Sequence, residues 1–337
     1  MSTYDDDNRP RFGAARGGHV ESWFVRANDP RAPRAIWLKA TVLRPLQGAP
    51  VAEAWCCTFD SDGAFGVRGT APLEEARFEG DPLQIEVAGC QFTLGRDGGS
   101  GRGALAGPRG TARWDLSWTA LGGRIGEPMC LYPTRRMVDS GFPKNKLLTP
   151  APAVRFDGRF EHDGTLTPVR GWAGMQGHNW GPAHAPAYAW GQCWFPGTDG
   201  GPATVVEGAS GRLKLGPVLT PWIAGMVVRR GGASYRFDRM VDLWARETSV
   251  GDLAWRVRLR SGAGEAELSM DADPRQTVCL GYRNPDGALS FCFNSKIGRA
   301  RLRVTPRERA PFTVTSAHGA ALEILTRTPD PRFGTPV

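Results

Sequence analysis

The chain has 337 residues, 41% of them hydrophobic, which is enough apolar material for one large domain or two ordinary ones. The net charge of +8 comes from 42 basic residues, only five of them Lys, and the Arg residues are dispersed among apolar neighbours, which argues against nucleic-acid binding. Gly at 44 and Pro at 27 punctuate the sequence without collagen-like period or low complexity, favouring many short strands over helices.

The polar start MSTYDDDNRPRFG reads as a disordered tail over residues 1–18, without the early apolar run of a secretory signal. No run of about 18 apolar residues could span a bilayer as a helix. Seven Cys, including adjacent Cys56 and Cys57 but no C-x-x-C pair, predict reduced thiols and a cytoplasmic protein rather than a disulfide framework or a zinc site.

From there period two organises the chain. AIWLKATVL, residues 35–43, is apolar enough for a strand buried on both faces. GRDGGSGRG, residues 95–103, runs into ALAGPRG rather than a helix, so it reads as a flexible hairpin tip and not as a phosphate cradle. WDLSW then places Trp114, Leu116 and Trp118 on one face of a strand.

The stretch GWAGMQGHNWGPAHAPAYAWGQCWF, residues 171–195, holds four of the twelve Trp and two of the five His. Read as a hairpin, it places Trp172, Gln176, His178 and Trp180 on one face of its first arm, with Met175, Gly177 and Asn179 opposite. Tyr188, Trp190, Gln192 and Trp194 share a face of the second arm. One register sets Trp180 against Tyr188, His178 against Trp190 and Gln176 against Gln192, making a polar centre inside an aromatic wall. Such a surface suits an apolar ligand oriented by a few hydrogen bonds, although buried Trp and His are also ordinary packing residues. Asn179 is expected to satisfy backbone groups at the hairpin turn.

A linker-like PGTDGGP places a domain seam at about residue 200, dividing the chain into units 19–200 and 201–337. Beyond it, Glu207 in TVVEGAS is a displaced-acid candidate, set against the commoner strand-end carboxylate that faces water. Asp238 and Asp242 lie in YRFDRMVDLW. LAWRVRLR, AELSMDA and RARLRVT again alternate, as in Trp255, Val257 and Leu259 against Arg256, Arg258 and Arg260. Asp62-Gly63, Asp97-Gly98, Asp157-Gly158, Asp163-Gly164, Asp199-Gly200, Gly231-Gly232 and Asp286-Gly287 are spaced as hairpin turns. Two antiparallel barrels of roughly eight to ten strands each fit the length; a propeller would need a fixed repeat that is absent. P-loop, H-E-x-x-H and G-x-S-x-G patterns are also absent, which weakens kinase, metalloprotease and serine-hydrolase readings.

Gly177-His178-Asn179-Trp180-Gly181 followed by Trp190-Gly191-Gln192-Cys193 is similar to the tocopherol cyclase pattern Glu-Lys-Asn-Trp-Gly and Trp-x-Trp-x-Gln-Cys, with Tyr188 where the first Trp would stand. Together with ESWFVRANDP, FPKNKLLTP and PWIAGMVVRRGGASYRF, the chain resembles the superfamily of tocopherol cyclases, carotenoid hydratases and lipocalin-like Diels-Alderases. The resemblance implies an all-β fold of two tandem lipocalin-like barrels and an apolar isoprenoid-like or polyketide-like substrate. It implies cyclisation, hydration or cycloaddition without metal or redox cofactor.

On that resemblance His178 is the first candidate for proton transfer, Gln176 and Glu207 are further catalytic candidates, and Trp172, Asn179, Trp180, Tyr188, Trp190, Gln192 and Trp194 are substrate-binding candidates. Lys146, in the Pro-rich segment, reads as a surface loop that could close the cavity mouth. Gly177 stands where relatives carry Asp or Glu, so the usual acid is missing. A non-catalytic carrier of an apolar ligand is the alternative reading, and monomer and homodimer stay open.

Overall fold

The computed structural model describes residues 7–121, 129, 131, 137–138, 144–197, 203–215, 217–239 and 247–337. These residues contain no α-helix and form 23 strands, all paired antiparallel. The first sheet has eleven: β1 (His19–Asn28), β2 (Ala35–Arg44), β3 (Val51–Phe59), β4 (Ala64–Pro72), β5 (Arg77–Glu79), β6 (Leu83–Val87), β7 (Cys90–Leu94), β8 (Gly98–Gly107), β9 (Gly110–Ala120), β10 (Lys146–His162) and β11 (Thr165–Gly181). The second has ten: β12 (Ala187–Phe195), β13 (Thr204–Arg212), β16 (Ile223–Arg230), β17 (Ala233–Arg236), β18 (Glu247–Gly251), β19 (Ala254–Ser261), β20 (Gly264–Asp271), β21 (Val278–Arg283), β22 (Leu289–Pro306) and β23 (Phe312–Thr326). A ribbon of β14 (Lys214–Leu215) and β15 (Val218–Leu219) stands apart.

Sheet one runs in the order β4-β3-β2-β1-β11-β10-β9-β8-β7-β6-β5 and curls until β4 lies against β8. Trp23, Ile36, Leu38, Trp114, Trp118 and Phe156 fill its inside. Sheet two curls around Trp255, Val257, Leu259, Leu268, Met270 and Leu302. This is the all-β, tandem lipocalin-like arrangement that the resemblance implied.

Alternation decides where the third core lies. On β2, Ile36, Leu38 and Ala40 enter the first barrel, while Ala35 and Trp37 leave by the opposite face. That outer face, with Phe24 of β1 and Trp55 and Cys57 of β3, packs on Trp190, Leu280, Cys292 and Ala321 of sheet two. Residues 35–40 of AIWLKATVL are therefore buried on both faces because one faces a barrel interior and the other the seam between barrels, whereas Thr41 and Leu43 are half-buried.

Asp163-Gly164 and Gly231-Gly232 make tight turns at positive φ, 46° and 80° in the first and 55° and 76° in the second. Asp157-Gly158 does not turn the chain: it sits inside β10, at a register shift where a side chain at position 158 would strike the Asp115 carbonyl. Asp199-Gly200 lies outside the described residues. In GRDGGSGRG only residues 95–97 form the hairpin tip that joins β7 to β8, and Gly98 to Gly103 lie in β8. A Cβ at Gly99 would stand 2.7 Å from the Trp118 ring and one at Gly103 2.6 Å from the Trp114 ring, so the glycines make room for indoles inside the barrel.

The chain passes from one sheet to the other over residues 182–186; the PGTDGGP stretch near residue 200 lies mostly outside the described residues. Residues 7–15, within the stretch expected as a disordered tail, are laid against β1 and β2. Asn8 accepts from Trp23 Nε1, the Arg11 and Phe12 amides donate to Glu21, and Arg44 donates to the Phe12 carbonyl. A buried carboxylate requires donors, and this segment supplies them.

Candidate functional site

The two halves of the motif do not form a hairpin. β11 pairs with β10 across the Asp163-Gly164 turn and with β1 on its other side, so neither edge is free for β12, which pairs with β13 and β23. The expected contacts of His178 with Trp190, Gln176 with Gln192 and Trp180 with Tyr188 are therefore not made. Alternation within each strand does hold: Trp172 and Gln176 look into barrel one, and Tyr188 and Trp190 look into the seam.

At one end of barrel one His178 is fully buried, its ring stacked on Trp23 at 4.8 Å and tilted against Trp180 at 4.6 Å. His178 Nδ1 lies 2.6 Å from the Asp7 carbonyl and Nε2 lies 2.9 Å from Glu21 Oε1. Both neighbours are acceptors, so the Nε2–Oε1 contact holds a proton between His178 and Glu21. Glu21 also accepts from the Arg11 and Phe12 amides and contacts His19 Nε2 at 3.1 Å. Burial pushes the Glu21 carboxyl up, but hydrogen bonds and charge from His178 and His19 outweigh it and set its pKa at about 2. Burial likewise draws His178 below its ordinary value, with Glu21 pulling the other way.

Gln176 joins this end, accepting from Trp118 Nε1 at 3.1 Å and donating to Asn8 Oδ1 at 3.1 Å. Trp172 packs edge-to-face on Phe160 in the barrel core, and the Arg11 guanidinium lies 4.1 Å over Trp180. Asn179 is half-buried within β11 and not at a turn, because the strand continues to Gly181. Lys146 is not on a surface loop: it opens β10 opposite Trp180 and is buried. At Gly177, on the seam side of β11, a Cβ would come 2.3 Å from Phe24 Cζ, so the Phe24 ring occupies the space that a motif carboxylate needs.

The seam gathers a second group. Glu323 Oε1 accepts from Lys296 Nζ at 2.6 Å and from Asn294 Nδ2 at 3.2 Å; Tyr188 donates to Oε2 at 3.5 Å. Lys296 Nζ stands 5.4 Å from the ring centroids of both Trp37 and Trp190. Lys39 Nζ lies 3.9 Å over the Tyr282 ring and 5.7 Å from Trp37, and has no hydrogen-bond or ion-pair partner among the described residues. Lys39 is 4% exposed and Lys296 fully buried. Burial lowers Lys39 from 10.5 to about 8, with Glu323 opposing, and it lowers Lys296 as well. Burial raises the phenols of Tyr188 and Tyr282 and the thiol of Cys292, and together with Lys39 takes His184 down to about 3. Trp37 Nε1, Trp190 Nε1 and Asn294 Oδ1 are buried without hydrogen-bond partners.

Elsewhere on the seam side of sheet two, Gln192 donates to the Pro152 carbonyl at 3.0 Å while its Oε1 stays unsatisfied. Glu207, its neighbour on β13, is fully buried and not a water-facing strand end. It accepts from the Met129 amide at 2.8 Å and from Arg229 at 2.9 Å. Trp194 is half-buried on β12. Asp238 is buried and paired with Arg236, and Asp242 lies outside the described residues.

Sequence reasoning missed Glu21, Lys39, Lys296, Asn294, Tyr282 and Glu323. A signal was present for Lys39, since a Lys in the middle of a strand buried on both faces can only point inward. Glu21 stood in ESWFVRANDP, two residues from Trp23 on the same face. Among the described residues no group of three or more His, Cys, Asp or Glu side chains could hold a metal ion, and no helix is long and apolar enough to cross a membrane.

No family model matches the chain. It is 27% identical over 299 residues to two uncharacterized proteins of Mycobacterium tuberculosis, Rv0493c of strain H37Rv and MT0513 of strain CDC 1551, covering 87% of this chain and 84% of each relative. Among solved structures it is similar to a Nitrosomonas europaea protein assigned as AttH (NE1406), with TM-score 0.56, 16% identity and 92% of both chains covered. It is also similar to kievitone hydratase from Nectria haematococca, with TM-score 0.52, 12% identity, and 93% of this chain and 90% of that one covered. These likenesses support the lipocalin-like, all-β fold.

Proposed function

We propose that the protein is an enzyme of hydratase or cyclase type, moving protons with its own side chains on an unsaturated, largely apolar molecule held at the seam between its barrels. The observation that carries this reading is Lys39, an ammonium buried among Tyr282, Trp37 and the Glu323–Lys296 pair without an acceptor. Leaving such a group unpaired costs stability, and a folded protein keeps it where a ligand completes it. Its pKa of about 8 also suits a general acid at neutral pH.

In a hydration, one alkene carbon takes a proton from the Lys39 ammonium and its neighbour takes the oxygen of water. The proton that water releases passes to Glu323 and returns to Lys39, so the net change is addition of one water. Asn294 Oδ1, unsatisfied beside Glu323, is the acceptor that orients the water. In a cyclisation, a substrate hydroxyl takes the place of water. Trp37 and Trp190 hold the apolar body in position, and orientation alone can supply roughly 7 to 11 kcal/mol. The hydratase fold of a solved neighbour supports the class of reaction but names no substrate here.

The test is solvent isotope incorporation. Purified protein is incubated in D2O with conjugated polyene ketones and geranylated hydroquinones, and products are read by mass spectrometry. One deuteron gained per turnover, lost in Lys39→Met and Glu323→Gln, supports an enzyme; tryptophan quenching by these compounds without any deuterium gain makes the protein a carrier.

A second reading has one observation in its favour. The proton held between His178 and Glu21 lies against two indole rings, which is the setting of a buried acid, with Glu21 in place of the carboxylate missing at position 177. In that reading His178→Gln abolishes deuterium incorporation and Lys39→Met spares it.

A further inference from the structure

We propose that the ligand at the seam presents an anionic oxygen, a carboxylate or an enolised carbonyl joined to a flat unsaturated body, and that this oxygen is received by Lys39 and the indole N–H groups of Trp37 and Trp190. The inference rests on the seam being the working site and adds the charge of what enters it.

The argument begins from the sign of the charge. Lys39 and Lys296 are cations and Glu323 is an anion, so this cluster keeps one positive charge in excess. The buried Arg26 guanidinium, which also acts on Lys296, adds to that excess, and the other titratable groups nearby leave it in place. Tyr188, Tyr282, Cys57 and Cys292 are held in their neutral forms by burial, as is His184. Glu53, the next carboxylate from Lys39, is engaged by Arg68 at 3.5 Å and by Trp55 Nε1 at 3.2 Å.

Donors at this place also exceed acceptors. Lys39 Nζ, Trp37 Nε1 and Trp190 Nε1 have no acceptor among the described residues, and Trp37 borders both ammonium groups. Fixed N–H groups and a cation in a dry site stabilise negative charge on oxygen, whether a resident carboxylate or the oxyanion that develops during an addition. The same charge disfavours a free carbocation. The chemistry therefore points to a conjugated carbonyl or acid, whose electrons run onto oxygen, and away from an isolated alkene.

The rings supply the rest of the site. Trp37, Trp190, Tyr282 and Trp55 belong to one buried aromatic cluster at the seam, with Tyr282 edge-on to Trp55 at 5.9 Å. A flat hydrocarbon body packs on such rings, and the ionised group then selects among flat bodies.

The experiment uses the full chain and a matched pair of probes, 2-naphthoate and uncharged 2-naphthamide, titrated by tryptophan fluorescence with calorimetry as the second readout. Wild type is expected to bind naphthoate at least tenfold more tightly than naphthamide. Lys39→Met should remove that preference while leaving naphthamide unchanged, and Lys39→Arg, which keeps the charge, should restore part of it; circular dichroism checks that each variant is folded. Equal binding of the two probes, binding of neither, or a preference that survives Lys39→Met overturns the inference. Its failure is separable from that of the enzyme reading. Deuterium gain in neutral polyenes with no naphthoate preference sinks only the anionic oxygen, and naphthoate preference without deuterium gain leaves a carrier of acidic ligands.

Discussion

The end of barrel one and the seam both bury ionisable groups, and they treat them oppositely. At the barrel end each side-chain polar atom of Glu21 and His178 has a partner, supplied by His19, by two backbone amides and by the Asp7 carbonyl. At the seam two indole N–H groups and an asparagine oxygen are buried without partners, and the Lys39 ammonium makes no hydrogen bond or ion pair to the described residues. A completed network is what structural polar groups look like, and an incomplete one marks a place where stability has been given up. The difference teaches that the residues carrying the motif need not be the ones left unsatisfied: His178 and Glu21 pin residues 7–12 over the barrel, and the unsatisfied groups lie at the seam.

The comparison breaks most sharply on the Lys296–Glu323 ion pair of the seam. Glu323→Ala leaves Lys296 buried beside Lys39 with no anion between them, and should cost about 3 to 5 kcal/mol in urea unfolding. A cost under about 1 kcal/mol would mean that water already reaches Lys296 and that the seam is not dry.

Lys39→Met tests the opposite sign. Removing an uncompensated buried charge should stabilise the protein, by about 3 kcal/mol at pH 7 from a pKa lowered to about 8. The unfolded chain holds the Lys39 proton up to its ordinary 10.5, whereas the folded chain releases it near 8, so wild-type stability rises between those limits. The advantage of Lys39→Met is therefore full below pH 8 and gone above pH 10.5. Urea midpoints measured across that range check it, and an unchanging difference would remove Lys39 from the argument.

Much of this contrast was legible in the chain, and the illegible part has a definite cause. Period two put Gln176 and His178 on one face and Tyr188 and Trp190 on one face, since side-chain direction is local. Which strands become neighbours is not local. β11 and β12 are adjacent in sequence, yet β10 and β1 occupy both edges of β11, and His178 finds its acid 157 residues away on β1. The seam was hidden for the same reason: Lys39, Tyr188 and Glu323 lie on β2, β12 and β23, and only packing of one barrel on the other brings them together.

At the barrel end, Glu21→Gln removes the charge that holds residues 11 and 12. It should cost about 2 kcal/mol and speed trypsin cleavage within residues 9–16, while the naphthoate preference at the seam is unchanged. Acid should act in the same way on wild type. Glu21 is held at about 2 against an ordinary 4.5, so its contribution is complete above pH 4.5 and is lost as pH falls toward 2. A segment that stays protected from an acid-tolerant protease at pH 2 would show that other contacts hold it.

The smallest change probes whether the two regions communicate. Trp23→Phe deletes the hydrogen bond from Nε1 to the Asn8 carbonyl at 2.9 Å but keeps an aromatic ring against His178, so it should cost about 1 kcal/mol. Trp23 points into barrel one, and its neighbour Phe24 points the other way, edge-on to Trp190 at 5.8 Å. One strand thus touches both regions through successive residues. If the backbone of β1 is held by its pairing with β2 and β11, Trp23→Phe leaves probe binding at the seam unaltered. A shift in naphthoate affinity would instead show β1 transmitting the state of the covered end to the open one, because no side chain of Trp23 reaches the seam to do so directly.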